Sequence, residues 1–164
     1  MNNINFSAVE QTAKAIQADP SLKMRSWHAD IEWQDGVKNE VKIRDFAKFQ
    51  MDEPQPLGGT DTAPNPVEML IAAAGSCFAI TFQVMASQNG VKLEAMNVAI
   101  DADLNAAVFL GLEEGEGGVL NPSITVEVKS DASKETLEKI AGMAKSKSPV
   151  LESLRASVKV NIVG

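Results

Sequence analysis

The 164-residue chain contains one cysteine, Cys77, and one histidine, His28. A thiolate is a nucleophile and a metal ligand, but a single Cys excludes an intramolecular disulfide, and one Cys with one His leaves no cluster for zinc. The chemistry, if any, rests on very few residues. It lies near the end of the stretch NPVEMLIAAAGSCF, residues 65–78, directly after Ala72, Ala73, Ala74, Gly75 and Ser76. Two readings apply: a small buried hydrophobe, as most free cysteines are, or a reactive thiol. Reactivity calls for a nearby cation or a helix N-terminus, and Cys77 stands about three turns into its helix. An activator then has to come from elsewhere in the fold or from a second chain.

The element that carries the thiol is the longest helix the pattern offers, Pro66 to about Asn89, with Gly90 suited to its C-terminal end. Asn65 can cap it, Pro66 fits its first position, and Glu68 at the third can return a hydrogen bond to the cap, an arrangement that stabilises by roughly 1 kcal/mol. At 100° per residue, Leu70, Ala73, Ala74, Cys77, Ile80, Thr81 and Val84 share one face, and Met69, Ala72, Ser76, Ala79 and Phe82 cover another. A helix apolar nearly all round belongs in the centre of a fold. Its small residues allow another backbone to come close.

Around it, Ser7 and Glu10 form a candidate capping box for a short amphipathic helix that includes Phe6, Val9, Ala13 and Ile16 and breaks at Asp19–Pro20. Trp27, Ala29, Ile31 and Trp33 alternate with polar residues, and Asp35–Gly36 supplies hairpin turn residues. His28 falls on the polar face of that strand as a solvated residue. Val37, Val41, Ile43, Ala47, Phe49 and Met51 keep one parity, so strand pairing can run on to Met51. The 15-residue segment DEPQPLGGTDTAPNP then reads as a loop, a candidate lid or partner surface. Further on, strands are expected at Val91 to Asp103, with a bulge near Ala95 and Met96, and at Ser123 to Lys129. Leu137, Ile140, Ala141 and Ala144 mark an amphipathic helix, KSPVLESLRA a short one with Ser148 as cap and Pro149 at its first position, and Val158, Val160 and Ile162 a last strand. Hairpins and late single strands without βαβ alternation favour an α+β fold with an antiparallel or mixed sheet, in one domain spanning 1–164.

Composition removes several functions. A net charge of −7 and a pI near 4.7 argue against a nucleic-acid surface. The glycine-rich segment GLEEGEGGVLNP has no lysine to meet phosphates. Asp101, Asp103 and Asn105 begin like a calcium loop, but Ala106 and Leu112 occupy the positions that need Gly and Glu. No cofactor or metal is expected. The N-terminus lacks a basic start followed by an apolar run, and no apolar stretch is judged to approach membrane-spanning length, so a cytoplasmic location without membrane contact is expected.

The segment GTDTAPNPVEMLIAAAGSCFAI resembles the signature of the OsmC/Ohr family, in which an NP-E-L-like helix start leads through small residues to a reactive Cys. The likeness runs from the first hairpin through SDASKETLEKIAGMAKSKSPVLESL to the final strand. It implies an OsmC-like fold: antiparallel or mixed sheets around long central helices, in an intertwined homodimer with thiol sites at the subunit interface. It also implies reduction of organic hydroperoxides, with the Cys matching Cys77 oxidised to a sulfenic acid and resolved by a second Cys. The chain departs from that pattern in three places. Ser148 stands where the second Cys precedes a Pro-Val pair, Val67 where a Glu follows Asn-Pro, and Gln34 near the first hairpin turn where the Ohr branch has an Arg. Glu68 comes one residue late, and Arg25 and Arg44 are the nearest arginines.

Two functions follow from the resemblance. One is a one-Cys peroxidase with Cys77 as nucleophile, Glu68 and Arg44 or Arg25 tuning it, and an external thiol as resolver. The other is a non-enzymatic dimeric protein whose interface pocket, lined by Cys77, Met69 and the LGGTDTAP loop, holds a small apolar or thiol-containing ligand. Ser148 and Pro149 belong to the same candidate site. A structural role for Cys77 is the third reading.

Overall fold

The computed structural model describes residues 1–154 and 158–163 and divides into two compact units, one formed by Asn5–Glu68 and the other by Met1–Ile4 with Met69–Gly164. In the first unit, α1 (Phe6–Ala18) is capped by Asn5, whose Oδ1 accepts from Ala8 N at 3.2 Å. This corrects the expected Ser7–Glu10 box: Ser7 already lies inside the helix. A 3₁₀ turn at Pro20–Lys23 follows, led by Asp19, whose carboxyl is held below its ordinary range by the Ser21 hydroxyl and backbone N–H.

Strand β1 (Asp30–Asp35) pairs antiparallel with β2 (Lys38–Lys42), and β2 with β3 (Phe49–Met51), giving a three-stranded sheet in the order β1-β2-β3. Asp35 pairs with Lys38, so the turn residues are Gly36, at φ +54°, and Val37. The continuous parity from Val37 to Met51 conceals a reversal. Arg44 adopts φ +49° and turns the chain back, so that Val41 faces Phe49 across two strands rather than preceding it along one. Parity survives a fold-back of this kind, which is why alternation alone missed it.

The second unit holds α2 (Pro66–Gln88) from Met69 onward, β4 (Ala95–Asp103), α3 (Ala106–Phe109), β5 (Leu120–Lys129), α4 (Lys134–Lys147), α5 (Pro149–Ser153) and β6 (Lys159–Val163). β5 is central, antiparallel to β4 and parallel to β6, a mixed sheet as expected. Its register breaks between Asp101 and Asp103, not near Ala95 and Met96, and the chain before Ala95 is not a strand. The described part of KSPVLESLRA is helical as far as Ser153, while Arg155 and Ala156 lie outside the described residues.

The core of this unit is shared by α2, α4 and the inner sheet face. Ala74, Phe78, Phe82, Met85 and Ala86 meet Ile124 and Val126 of β5, and Leu137, Ile140, Ala141 and Ala144 of α4. Those four α4 positions are the face that a 3.6-residue period selects. Ser133 caps α4, accepting from Thr136 N at 3.3 Å. The expectation about membrane-spanning stretches is corrected here, because α2, with 23 residues, is long and apolar enough to cross a bilayer. Its apolar character goes instead toward the core on the face of Ala74, Phe78 and Phe82, all fully buried.

Candidate functional site around Cys77

Helix α2 begins with a closed capping box. Asn65 Oδ1 accepts from Glu68 N at 2.8 Å, and Glu68 Oε2 accepts from Asn65 N at 2.8 Å. Glu68 is thereby committed to the helix start, nine residues before Cys77 on the same helix. Gly75 faces β4, where a Cβ would stand 3.0 Å from Ile100 Cγ2, so one of the small residues before the thiol exists for close packing.

The thiol of Cys77 is free and half-buried. Thr81 Oγ1 donates to the Cys77 carbonyl oxygen at 2.8 Å, a contact one turn along the same helix. Cys77 sits at the margin between two faces of α2. On one side is the buried row Ala74, Phe78 and Phe82, and on the other Ala72, Ala73, Ser76 and Ile80 are exposed, Ile80 by 59%. Only half of the all-round apolar helix is covered by its own chain. Met69 lies half-buried one turn after the helix start.

Ser148 ends α4 and begins α5, with Pro149 at the first position of α5. It occupies the expected cap position, but its side chain makes no capping bond: the residue is fully buried and its Oγ has no hydrogen-bond partner among the described residues. A buried hydroxyl without a partner costs roughly 1–3 kcal/mol of desolvation. Ser148→Ala is therefore expected to raise the unfolding free energy by about 1 kcal/mol, read from the urea midpoint at unchanged slope. A lower midpoint would show that the hydroxyl is satisfied.

Arg44 belongs to the other unit. Its guanidinium carbon lies 4.6 Å from the ring centre of Phe46, a cation–π contact at the β2–β3 reversal, beside a groove lined by Trp27, His28 and Ile43. His28 is exposed, its Nε2 3.1 Å from Asp30 Oδ1, and precedes β1 rather than lying in it. Ile31 and Trp33 of β1 are exposed too.

The expected long loop contains a group that the sequence pattern did not single out. Asp52, 1% exposed, directly follows β3 and organises the segment that leads to α2. Its Oδ2 accepts from Thr60 N at 3.1 Å, Thr60 Oγ1 at 2.7 Å, Thr62 N at 3.1 Å and Thr62 Oγ1 at 3.0 Å, and its Oδ1 accepts from Glu53 N at 2.9 Å. The Thr60 hydroxyl first, then Thr62 and the Glu53 N–H, hold the carboxyl well below the usual range despite burial. Gly59 passes so close to the Glu53 carbonyl that no Cβ fits. The signal in the sequence was an Asp after a strand, followed by two threonines flanking one residue.

Comparison with known proteins agrees with this architecture. Residues 59–163 match the model of the OsmC-like protein family. The structure of an OsmC-like protein from Mycoplasma pneumoniae superposes at a TM-score of 0.73 with 12% identity, covering 85% of this chain and 96% of that one. An OsmC-like protein of unknown function from Vibrio cholerae gives 0.71 with 15% identity over 85% and 100%. An organic hydroperoxide resistance protein from Elizabethkingia anophelis gives 0.69 with 18% identity over 87% and 98%. No curated protein matches. The chain belongs to the OsmC-like protein family, which includes organic hydroperoxide resistance proteins.

Proposed function

We propose that this protein is a one-Cys thiol peroxidase that reduces organic hydroperoxides through Cys77, as a homodimer in the cytoplasm, with an external thiol as resolver. The observation that carries the reading is the position of Cys77 on the helix shared with the family, beside an apolar face its own chain leaves open. A second copy covering Ala73 and Ile80 of α2 removes that surface from water and surrounds the thiol with apolar walls. Such walls favour peroxides with hydrocarbon substituents. Glu68 and Arg44 or Arg25 tune the site in this reading.

The chemistry balances without a cofactor. The Cys77 sulfur attacks the distal oxygen of ROOH and the O–O bond breaks. The thiol becomes a sulfenic acid, and the leaving alkoxide takes a proton to become ROH. Ser148 cannot resolve the sulfenic acid as a thiol would. One external thiol forms a mixed disulfide with loss of water, and a second releases Cys77 as its thiol together with the external disulfide.

The test is consumption of cumene or tert-butyl hydroperoxide in the presence of a dithiol. The parent is expected to turn over, with a sulfenic acid trapped on Cys77 by dimedone when reductant is withheld, and Cys77→Ser is expected to fall to the uncatalysed background. A Cys77→Ser protein as active as its parent ends the proposal.

A second reading draws on the engagement of Glu68 in the cap and Arg44 with Phe46, which leaves fewer groups to activate a thiol. In it, Cys77, Met69 and the LGGTDTAP loop hold a small apolar or thiol-containing ligand. Native mass spectrometry without a bound species, together with no thermal shift from lipids or thiols, removes it.

A further inference from the structure

We propose that the ordered apolar and acidic knuckle at residues 106–116 docks into the basic groove between α4 and β6 of a second copy of this chain. The contact uses none of the exposed α2 residues beside Cys77 and does not rest on the peroxidase reading.

The knuckle is built by its own hydrogen bonds. Asn105 Oδ1 accepts from Ala107 N at 3.0 Å and Val108 N at 3.4 Å, and its Nδ2 donates to Glu113 Oε1 at 2.6 Å. Leu112 N bonds to Ala107 O at 2.8 Å and Gly111 N to Val108 O at 3.0 Å, around Gly111 at φ +71°. This is the paired closure of a Schellman motif. A Cβ on Gly115 would stand 2.9 Å from Val108 Cγ2, so the following turn also packs closely. The ordering holds large apolar side chains outward: Phe109 is 56% exposed, Leu110 57% and Leu112 76%. Glu113, Glu114 and Glu116 follow at once. An ordered apolar tip with a charged rim has the make-up of a contact surface.

The groove has the opposite charge. It encloses about 650 Å³ between α4 and β6, with Ala141, Val158 and Val160 as apolar lining and Lys134, Lys145 and Lys159 around them, against one carboxylate, Glu138. One wall is β6, the sheet's edge strand, bonded among the described residues only to β5. Among the described residues no strand pairs its outer edge, which leaves that edge to an incoming segment.

Charge selects the occupant. A protein of net charge −7 repels its copies in most orientations. An attractive approach needs a region of reversed sign, and the three lysines around an apolar lining supply it for three glutamates behind three apolar side chains.

The test is zero-length carbodiimide coupling on an equal mixture of unlabelled and ¹⁵N-labelled full-length protein, followed by peptide mass spectrometry. Mixed-isotope links are expected between Glu113, Glu114 or Glu116 and Lys134, Lys145 or Lys159, and they should weaken as salt rises. Glu113→Lys with Glu114→Lys removes them, as does Lys134→Glu with Lys159→Glu. Mixing the two reversed proteins restores links with amine and carboxylate exchanged. Links confined to single-isotope pairs, links joining other surfaces only, or a failure of the mixed reversed proteins to couple overturns the proposal.

Discussion

Replacing Phe82 with alanine is expected to lower the stability of the folded chain by about 3–5 kcal/mol, the range for deleting a large aromatic side chain from a closed core. Phe82 is fully buried and pairs with Phe78, the ring centres 6.1 Å apart and the planes tilted by 44°. Both rings stand on the one face of α2 that its own chain covers, against Ile124, Val126 and the α4 row. These neighbours belong to regular elements held by their own ladders and helical bonds, so they cannot collapse into the space left behind, and the cavity term adds to the lost transfer energy. The measurement is the urea midpoint of Phe82→Ala against its parent at matched protein concentration, with an unchanged slope confirming that stability alone has moved. A loss under about 1 kcal/mol would mean that the α2–sheet packing is looser than the buried ring implies.

The second large effect concerns Asp52. Its folded carboxyl ionises below the ordinary value of 3.8, chiefly through the Thr60 hydroxyl, so the stabilisation it contributes is fully present above that value and is lost as pH falls through the folded value. Four of its five hydrogen bonds converge on Oδ2. Asp52→Asn can keep its carbonyl oxygen there, at the loss of charge and of the Glu53 bond, whereas Asp52→Ala leaves the Thr60 and Thr62 N–H groups without their acceptor. The melting temperature is expected to fall by several degrees for Asn and further for Ala. The gap between parent and Asn variant should be widest above about pH 4 and narrow as the pH falls below that, where the unfolded carboxyl takes up its proton before the folded one does. Amide exchange at Thr60 and Thr62 should quicken in both variants. A pH-independent gap would show that the carboxylate's charge is not what holds the loop.

These two expectations differ in how far the sequence foretold them. Phe82 was placed on an apolar face of the long helix by periodicity, but the pattern could not choose which face the chain would cover, because α2 is apolar nearly all round. The covered side follows Ala74, Phe78 and Phe82, while Ile80 stays exposed, and Cys77 falls between them. Asp52 is marked by no helical or strand period, only by two threonines further along the chain. Its partners lie eight and ten residues on, beyond the reach of any helical or strand period.

Local chemistry was legible wherever a few neighbouring residues settle the outcome. The box between Asn65 and Glu68 closes as its spacing requires, since both bonds are formed within one turn. The α4 face of Leu137, Ile140, Ala141 and Ala144 is buried as its period requires. The Asn5 cap of α1 was missed because two residues compatible with a cap stand two positions apart, and the backbone bends at the first.

By itself the sequence determined that the chain carries a single thiol, that the thiol rides on a long capped helix among small residues, and that the fold is α+β with an antiparallel or mixed sheet. Those properties depend on residue type and on contacts a few positions apart. Tertiary structure alone decided that the chain reverses at Arg44, that Ser148 is buried with no partner among the described residues, that Asp52 gathers Thr60 and Thr62, and that one face of α2 is left open beside Cys77. Each of these depends on residues distant in sequence meeting, or failing to meet, in space, and side-chain period and composition contain no term for that.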